Sequence, residues 1–161
     1  MLPASSRYAA VLAALRIYTG IAWLDHGIGK LTSNFAGALP NMLQGMSNGT
    51  SGVYHDFIVN TVIPNSSTFA LLVSWGETLA GASLLLGLFT RLGGIAGAFL
   101  PLNYWAAKGA FAHLDGYFGM DLAYVVLSLV SVALPTGLVL GIDGLIAARK
   151  RPAAVGKKSA P

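Results

Sequence analysis

Glu77 is the one charged residue in the apolar run 68–89, and a lone carboxylate in that setting is the first candidate for chemistry. An ionisable side chain in hydrocarbon costs about 2.5 to 3.5 kcal/mol even on a lenient insertion scale, so Glu77 should face an interior and find a partner. Arg16, inside the apolar run 8–31, is the expected partner. It lies about eight residues into its helix, or about 12 Å at 1.5 Å per residue, while Glu77 is near the middle of its own. A long arginine arm would bridge the difference. Such an Arg16–Glu77 pair could serve only to fix helix register. Alternatively, Glu77 could exchange the proton that accompanies redox chemistry in a bound quinone or other substrate.

A second polar group gathers at the far ends of the helices. Asp25, His26 and Lys30 close the first apolar run; Asn103, Tyr104, Trp105 and Lys108 close the third; His113, Asp115, Tyr117 and Asp121 surround the start of the fourth. On a helix His26 and Lys30, four apart, share a face, whereas Arg16 and Asp25, nine apart, are separated by about 180°. The aromatic residues suit an interfacial belt. They would also suit the walls of a pocket in which Asp25, His26, Lys30, Asn103 and Tyr104 contact a quinone head group. An axial haem pair can be drawn from His26 and His113, but two histidines without supporting spacing carry little weight. The chain contains no cysteine and three histidines. Disulfides, thiolate metal sites, iron–sulfur clusters and cysteine catalysis are therefore excluded. No haem, flavin or metal is expected, and quinone enters only as a substrate. His55 reads as a solvated loop residue. The sequons at Asn48 and Asn65 matter only in a glycosylating host.

The elements that must position these groups follow from composition. Of 161 residues 55% are hydrophobic and only 10% charged, with a mean hydropathy of +0.66. A soluble domain carries about 25% charged residues, so this chain has too few to wet a globule, and its excess apolar surface should face lipid. Four apolar runs are long enough for spanning helices: 8–31, 68–89, 92–111 with Pro101 inside it, and one from about Gly119 that is uncharged over 122–142. Arg16 interrupts the first run and no small-x-small site precedes Asp25, so it reads as a retained helix rather than a cleaved leader. Pro101 and Pro135 should kink their helices or open gaps in the backbone ladder. Gly76 and Ala80, Gly93 and Gly97, and Gly137 and Gly141 are each four apart, a spacing that lets helices approach closely in lipid. Residues 32–67 form a long loop whose two apolar patches, 35–46 and 54–62, should cap the bundle.

Charge fixes the expected orientation. The loop 32–67 has no lysine or arginine, whereas Arg7, Arg91, Arg149, Lys150, Arg151, Lys157 and Lys158 fall on the opposite side. By the positive-inside rule both termini are cytoplasmic and the loop is outside. The net charge of +4 and pI of 9.6 then reflect topology and anionic-lipid attraction, not nucleic-acid binding. The expected fold is all-α: an integral membrane four-helix bundle over 1–148, followed by a basic cytoplasmic tail over 149–161.

These residues also resemble a family. Leu15-Arg16, Gly20, Asp25-His26-Gly27 and Gly29-Lys30-Leu31 look like the opening signature of DoxX/DoxD-type membrane proteins. Trp75 to Gly81, running on through Leu84 to Arg91, is similar to the family's most recognisable segment. Asn103-Tyr104 and Gly137 to Asp143 also fit, although Leu138 stands where relatives often carry arginine. The resemblance covers nearly the whole chain and implies a four-helix protein of a prokaryotic plasma (inner) membrane. In some members this is the small membrane subunit of a thiosulfate:quinone oxidoreductase working with a partner chain. Arg16, Lys30, Glu77 and Arg91 carry over residue by residue.

Two functions compete. In the first, a reductant such as a sulfur compound is oxidised near the outer face and electrons pass to quinone between the helices, with Glu77 and Arg16 managing the proton. A chain without cysteine or a redox-cofactor motif cannot readily store electrons, so this needs a second redox subunit or direct transfer. In the second, the protein is a non-enzymatic anchor or assembly partner of a redox or stress-response complex, and the buried pair only fixes its fold. The polar groups at the outer ends favour a binding site, which an anchor does not need. A transporter would require a homo-oligomer, since four helices show no inverted repeat.

Overall fold

The structure, a computed structural model, describes residues 4–109 and 119–150. All regular structure among them is helical. Helix α1 covers Ala4–Thr32, α2 Phe35–Ser47, and α3 Gly52–Phe57, which continues into a π turn at Ile58–Val62. Then follow α4 (Ser66–Leu86), α5 (Thr90–Ala107), α6 (Met120–Ala133), a 3₁₀ turn (Thr136–Leu138) and α7 (Ile142–Arg149). The four apolar runs become α1, α4, α5 and α6. The two apolar patches of the long loop become α2 and α3.

Among the described residues one helix, α4, is long and apolar enough by itself to cross a membrane. The reasons lie in the other three. Helix α1 has 29 residues but carries Arg16, Asp25 and Lys30; α5, at 18 residues, is made less apolar by Arg91, Pro101 and Asn103, and α6 has only 14 residues. The uncharged stretch 122–142 therefore does not form one long helix. Leu134, held extended at φ −114° and ψ 147°, precedes Pro135, whose ring disfavours the helical region for the residue before it. Gly137 and Gly141 consequently belong to a turn and to the extended residue before α7, not to a helix-packing pair. Helix α5, in contrast, runs on through Pro101.

Helix α1 packs along α4, α4 against α5, α5 against α6, and α6 returns to α1, while α2 lies over α4 and α5. The α1–α4 contact is set by glycines. A Cβ on Gly20 would lie 2.5 Å from the backbone nitrogen of Leu85, one on Gly27 equally close to that of Thr78, and one on Gly81 equally close to that of Leu24. Advancing along α1 retreats along α4, so the two helices are antiparallel. Of the expected small-residue pairs, Gly93 faces Ser83 and Gly97 faces Ser128 and Trp23. Gly76 meets only the flexible Leu100 side chain at 3.5 Å.

The interior is unusually polar. Arg16, Thr19, Ser74, Glu77, Thr90, Ser128, Ser131 and Thr136 are buried, whereas Tyr18, Ile21, Leu72, Trp75, Leu79, Ile95, Phe99 and Val126 are exposed. On α1 the two stripes interleave at spacings of three and four. Ala13, Arg16, Gly20, Trp23 and Gly27 point inward, and Val11, Leu15, Tyr18, Asp25 and Ile28 point out. Both stripes follow from the helical repeat of 3.6 residues.

Candidate functional site

Glu77 is 1% exposed on the inner face of α4. Its partner is Lys30, whose Nζ lies 2.6 Å from Oε1 and 2.5 Å from Oε2. The Tyr104 hydroxyl donates to Oε1 at 2.7 Å. One carboxylate thus collects donors from α1 and α5, the ammonium among them making a charge-assisted contact. Lys30 also lies 5.5 Å from the Phe35 ring centroid and 5.6 Å from that of Tyr104, placing the ammonium between two aromatic faces. These spacings allow cation–π attraction.

The expected Arg16–Glu77 pair is therefore not formed. In the antiparallel register, Gly27 meets Thr78 and Gly20 meets Leu85, so Arg16 falls beyond the far end of α4 while Lys30 reaches Glu77. Arg16 and Lys30 are 14 residues apart, or about 21 Å along one stripe. Arg16 instead donates through Nη2 to the carbonyls of Leu140 at 2.9 Å and Val139 at 3.4 Å. These carbonyls lie where the chain leaves helical form, and in a membrane such backbone groups need partners from the protein. Nearby, Asp143 accepts from the Phe89 amide at 2.9 Å, the Thr90 amide at 3.1 Å and the Thr90 hydroxyl at 3.0 Å. Phe89 and Leu140 both adopt left-handed φ, 52° and 50°, a strained state for residues with side chains. Arg16 and Asp143 hold these two turns.

Burial alone would raise the Asp143 carboxyl. The hydrogen bonds from Thr90 and Phe89, with the Arg16 guanidinium, outweigh it and hold the group below the usual carboxylate range. Arg91 is exposed beside this knot and lines a small cavity with Pro135 and Leu138.

Lys30 and Tyr104 also line a larger cavity of about 590 Å³ between α4, α5 and the α2–α3 segment. Its walls are mostly apolar and include Phe35, Met42, Phe57, Phe69, Leu72 and Phe99. Polar groups come from Lys30, Tyr54, Asn103, Tyr104 and Lys108. Asn103 is held in place: its Nδ2 donates to the Phe99 carbonyl at 2.7 Å, and Tyr54 donates to its Oδ1 at 3.3 Å and its backbone carbonyl at 3.1 Å. Leu72 and Phe99 are each 62% exposed, so the cavity opens sideways between α4 and α5. A concave apolar site with a few converging polar groups is a small-molecule site by shape and chemistry.

The remaining site residues separate from this group. His26 stands edge-on to Trp23 and Tyr124, at 6.1 and 5.6 Å, against α6 rather than beside Lys30. Asp25 is exposed on the outward stripe of α1. Lys108 and Asp121, grouped at one end by the sequence, do form an ion pair at 2.5 Å. His55 is not a free loop residue; its Nδ1 is 3.1 Å from the Ser47 carbonyl and 3.3 Å from Thr50 Oγ1. Sequence reading missed the role of Tyr54, Phe35 and the methionines of α2 in walling the cavity. The signal was the apolar content of 35–46 and 54–62. His113, Asp115, Tyr117 and the tail beyond Lys150 lie outside the described residues. Among the described residues no group of three or more histidine and acidic side chains could hold a metal ion.

Helices that are polar within and apolar without, around a buried ion pair beside a largely apolar cavity, define a helical protein suited to lipid rather than to water. The DoxX family model matches residues 11–113, and the chain belongs to this family of membrane proteins. Comparisons with curated proteins and with solved structures gave no match.

Proposed function

We propose that this protein is a multi-pass protein of a prokaryotic plasma membrane and the membrane subunit of a quinone-linked oxidoreductase, with the quinone head group in the α4–α5 cavity. The observation that carries this reading is the contact between that cavity and a buried titratable group: Lys30 and Tyr104 are both cavity wall and direct donors to Glu77. A quinone takes up protons and electrons in equal number as it becomes a quinol. Lys30, Tyr104 and Asn103 can hydrogen-bond its oxygens, and Glu77, behind them, can take up a proton from water and pass it to whichever of Lys30 or Tyr104 has given its own to the quinone. The sideways opening leaves room for an apolar tail in lipid. Electrons must come from a second redox subunit, and thiosulfate is the reductant the family resemblance suggests. Arg16 has no part in this step.

Four spans are supported by the outward apolar stripes on α1, α4, α5 and α6, which a water-facing bundle would not carry. The start of α1, the α4–α5 turn and α7 gather at one end, through the ties from Arg16 to Leu140 and from Asp143 to Phe89. That end bears Arg91, Arg149 and Lys150, so it is cytoplasmic by the positive-inside rule.

The test is mass spectrometry of the lipid extract from protein purified in mild detergent, comparing quinone per protein for the native chain and Glu77→Gln. Stoichiometric quinone that falls in the variant is the expected result. Quinone at the bulk-lipid background in both would overturn the redox reading and leave a non-enzymatic anchor or assembly partner.

A further inference from the structure

The outward face of α1 carries a carboxylate at a depth where lipid gives it nothing to bind. Leu24 packs against Gly81 and Gly27 against Thr78, so Asp25 is level with Ala80. Helix α4 runs from Ser66 to Leu86, which puts that level about four residues, or about 6 Å, from its midpoint. Asp25 is nevertheless exposed, on one stripe with Tyr18 and Ile28. It has no hydrogen bond or ion pair among the described residues. Of the groups on α6, Tyr124 is within electrostatic range of it. One turn further, Gly29 is exposed with open space where a side chain would stand. A carboxylate beside a small residue on an outward helix face suits a close helix–helix contact that supplies a charge.

Resting on the multi-span reading above, we propose that this face of α1 docks a membrane-spanning helix of a different chain that carries a lysine or arginine level with Asp25. Charge complementarity selects that occupant over a second copy. The outward side chains near this level on the other helices are Leu79, Ile95, Phe99, Val126 and Leu129, all apolar. A second copy presenting any of those faces offers no cation, and α1 meeting itself about a two-fold axis sets two carboxylates together. Lys30 is already committed to Glu77, and Arg16 to the carbonyls of Val139 and Leu140.

The test places the photo-crosslinking residue benzoylphenylalanine at Ile28 or at Leu79 of the full chain in its native membrane, and sequences the adducts by mass spectrometry. From Ile28 the expected adduct is an apolar peptide of another chain containing a lysine or arginine. Its yield should fall about tenfold or more in Asp25→Asn and persist in Asp25→Glu. Asp25→Lys combined with an acidic replacement of the captured basic residue should restore it, which a merely misfolded variant would not allow. Adducts from Ile28 to lipid alone, to a second copy alone, or to a protein captured equally well by Asp25→Asn would each overturn the docking. From Leu79 the expected adduct is lipid. Absence of lipid adducts there would overturn the spanning reading instead.

Discussion

At the scale of single residues the decisive feature is that Glu77 shares its charge with two neighbours rather than one. Lys30 is the close cation, with its side chain 24% exposed against 1% for Glu77. Removing it strands a buried carboxylate, so Lys30→Met should cost about 3–5 kcal/mol of stability. Glu77→Leu combined with Lys30→Met should recover most of that loss, because an apolar pair replaces the charged one. Thermal unfolding in detergent of the two single variants and the double variant checks this. Simple additivity of the single effects would show that the pair does not couple. Tyr104→Phe removes one hydrogen bond to a charged acceptor and should cost about 1.5–3 kcal/mol. Glu77 was legible in the sequence because one charge in an apolar run must be accounted for. Its partner was not. Depth along separate helices cannot place Lys30 against Glu77, since their pairing depends on which glycines of α1 and α4 meet.

At the scale of elements, those glycines make the register testable. A Cβ on Gly81 would lie 2.5 Å from the Leu24 backbone nitrogen, whereas one on Gly76 would lie 3.5 Å from a flexible Leu100 side chain. Gly81→Ala should therefore destabilise by about 1–3 kcal/mol, and Gly76→Ala by much less. Equal melting temperatures for the two variants would contradict the packing. Spacing marked Gly76, paired with Ala80, but not Gly81, and it cannot tell a backbone contact from a side-chain contact. It also ran the last helix on to residue 142, because hydropathy continues through 134–142 while the backbone does not. Pro135 and the turns around Gly137 and Gly141 interrupt it. Asp143 ties this break to the start of α5, and its carboxyl is held low. Its contribution is complete above the ordinary carboxylate value of 3.8 and is lost as pH falls through the lower folded value. Relative to the native chain, Asp143→Asn should be less stable at neutral pH, with the gap closing on acidification below that value. Melting curves across the acid range measure the gap. A gap of constant size would mean that the carboxylate's charge is not what the turn uses.

At the scale of the whole molecule the question is how many helices cross. Helix α4, at 21 residues, spans about 31 Å, close to the hydrocarbon thickness of about 30 Å. Helix α6, at 14 residues, spans only about 21 Å, so a fourth crossing would need the irregular segment after Ala133 to complete it. Irregular backbone is tolerated at membrane depth where protein groups satisfy it, as the Arg16 guanidinium does for Val139 and Leu140. This accounts for a buried arginine far from the cavity and makes a short fourth crossing physically acceptable. The chain has no cysteine, so each introduced thiol reports alone. With an impermeant maleimide on intact cells, Asn60→Cys and Met120→Cys should label from outside, and Arg91→Cys and Arg149→Cys only after the membrane is opened. Met120 is the discriminating position because it follows α5 and begins α6. If Met120→Cys labels only with the Arg91 and Arg149 variants, α4 crosses while α5 and α6 do not. The outward stripes of α5 and α6 would then have to cover another protein rather than lipid.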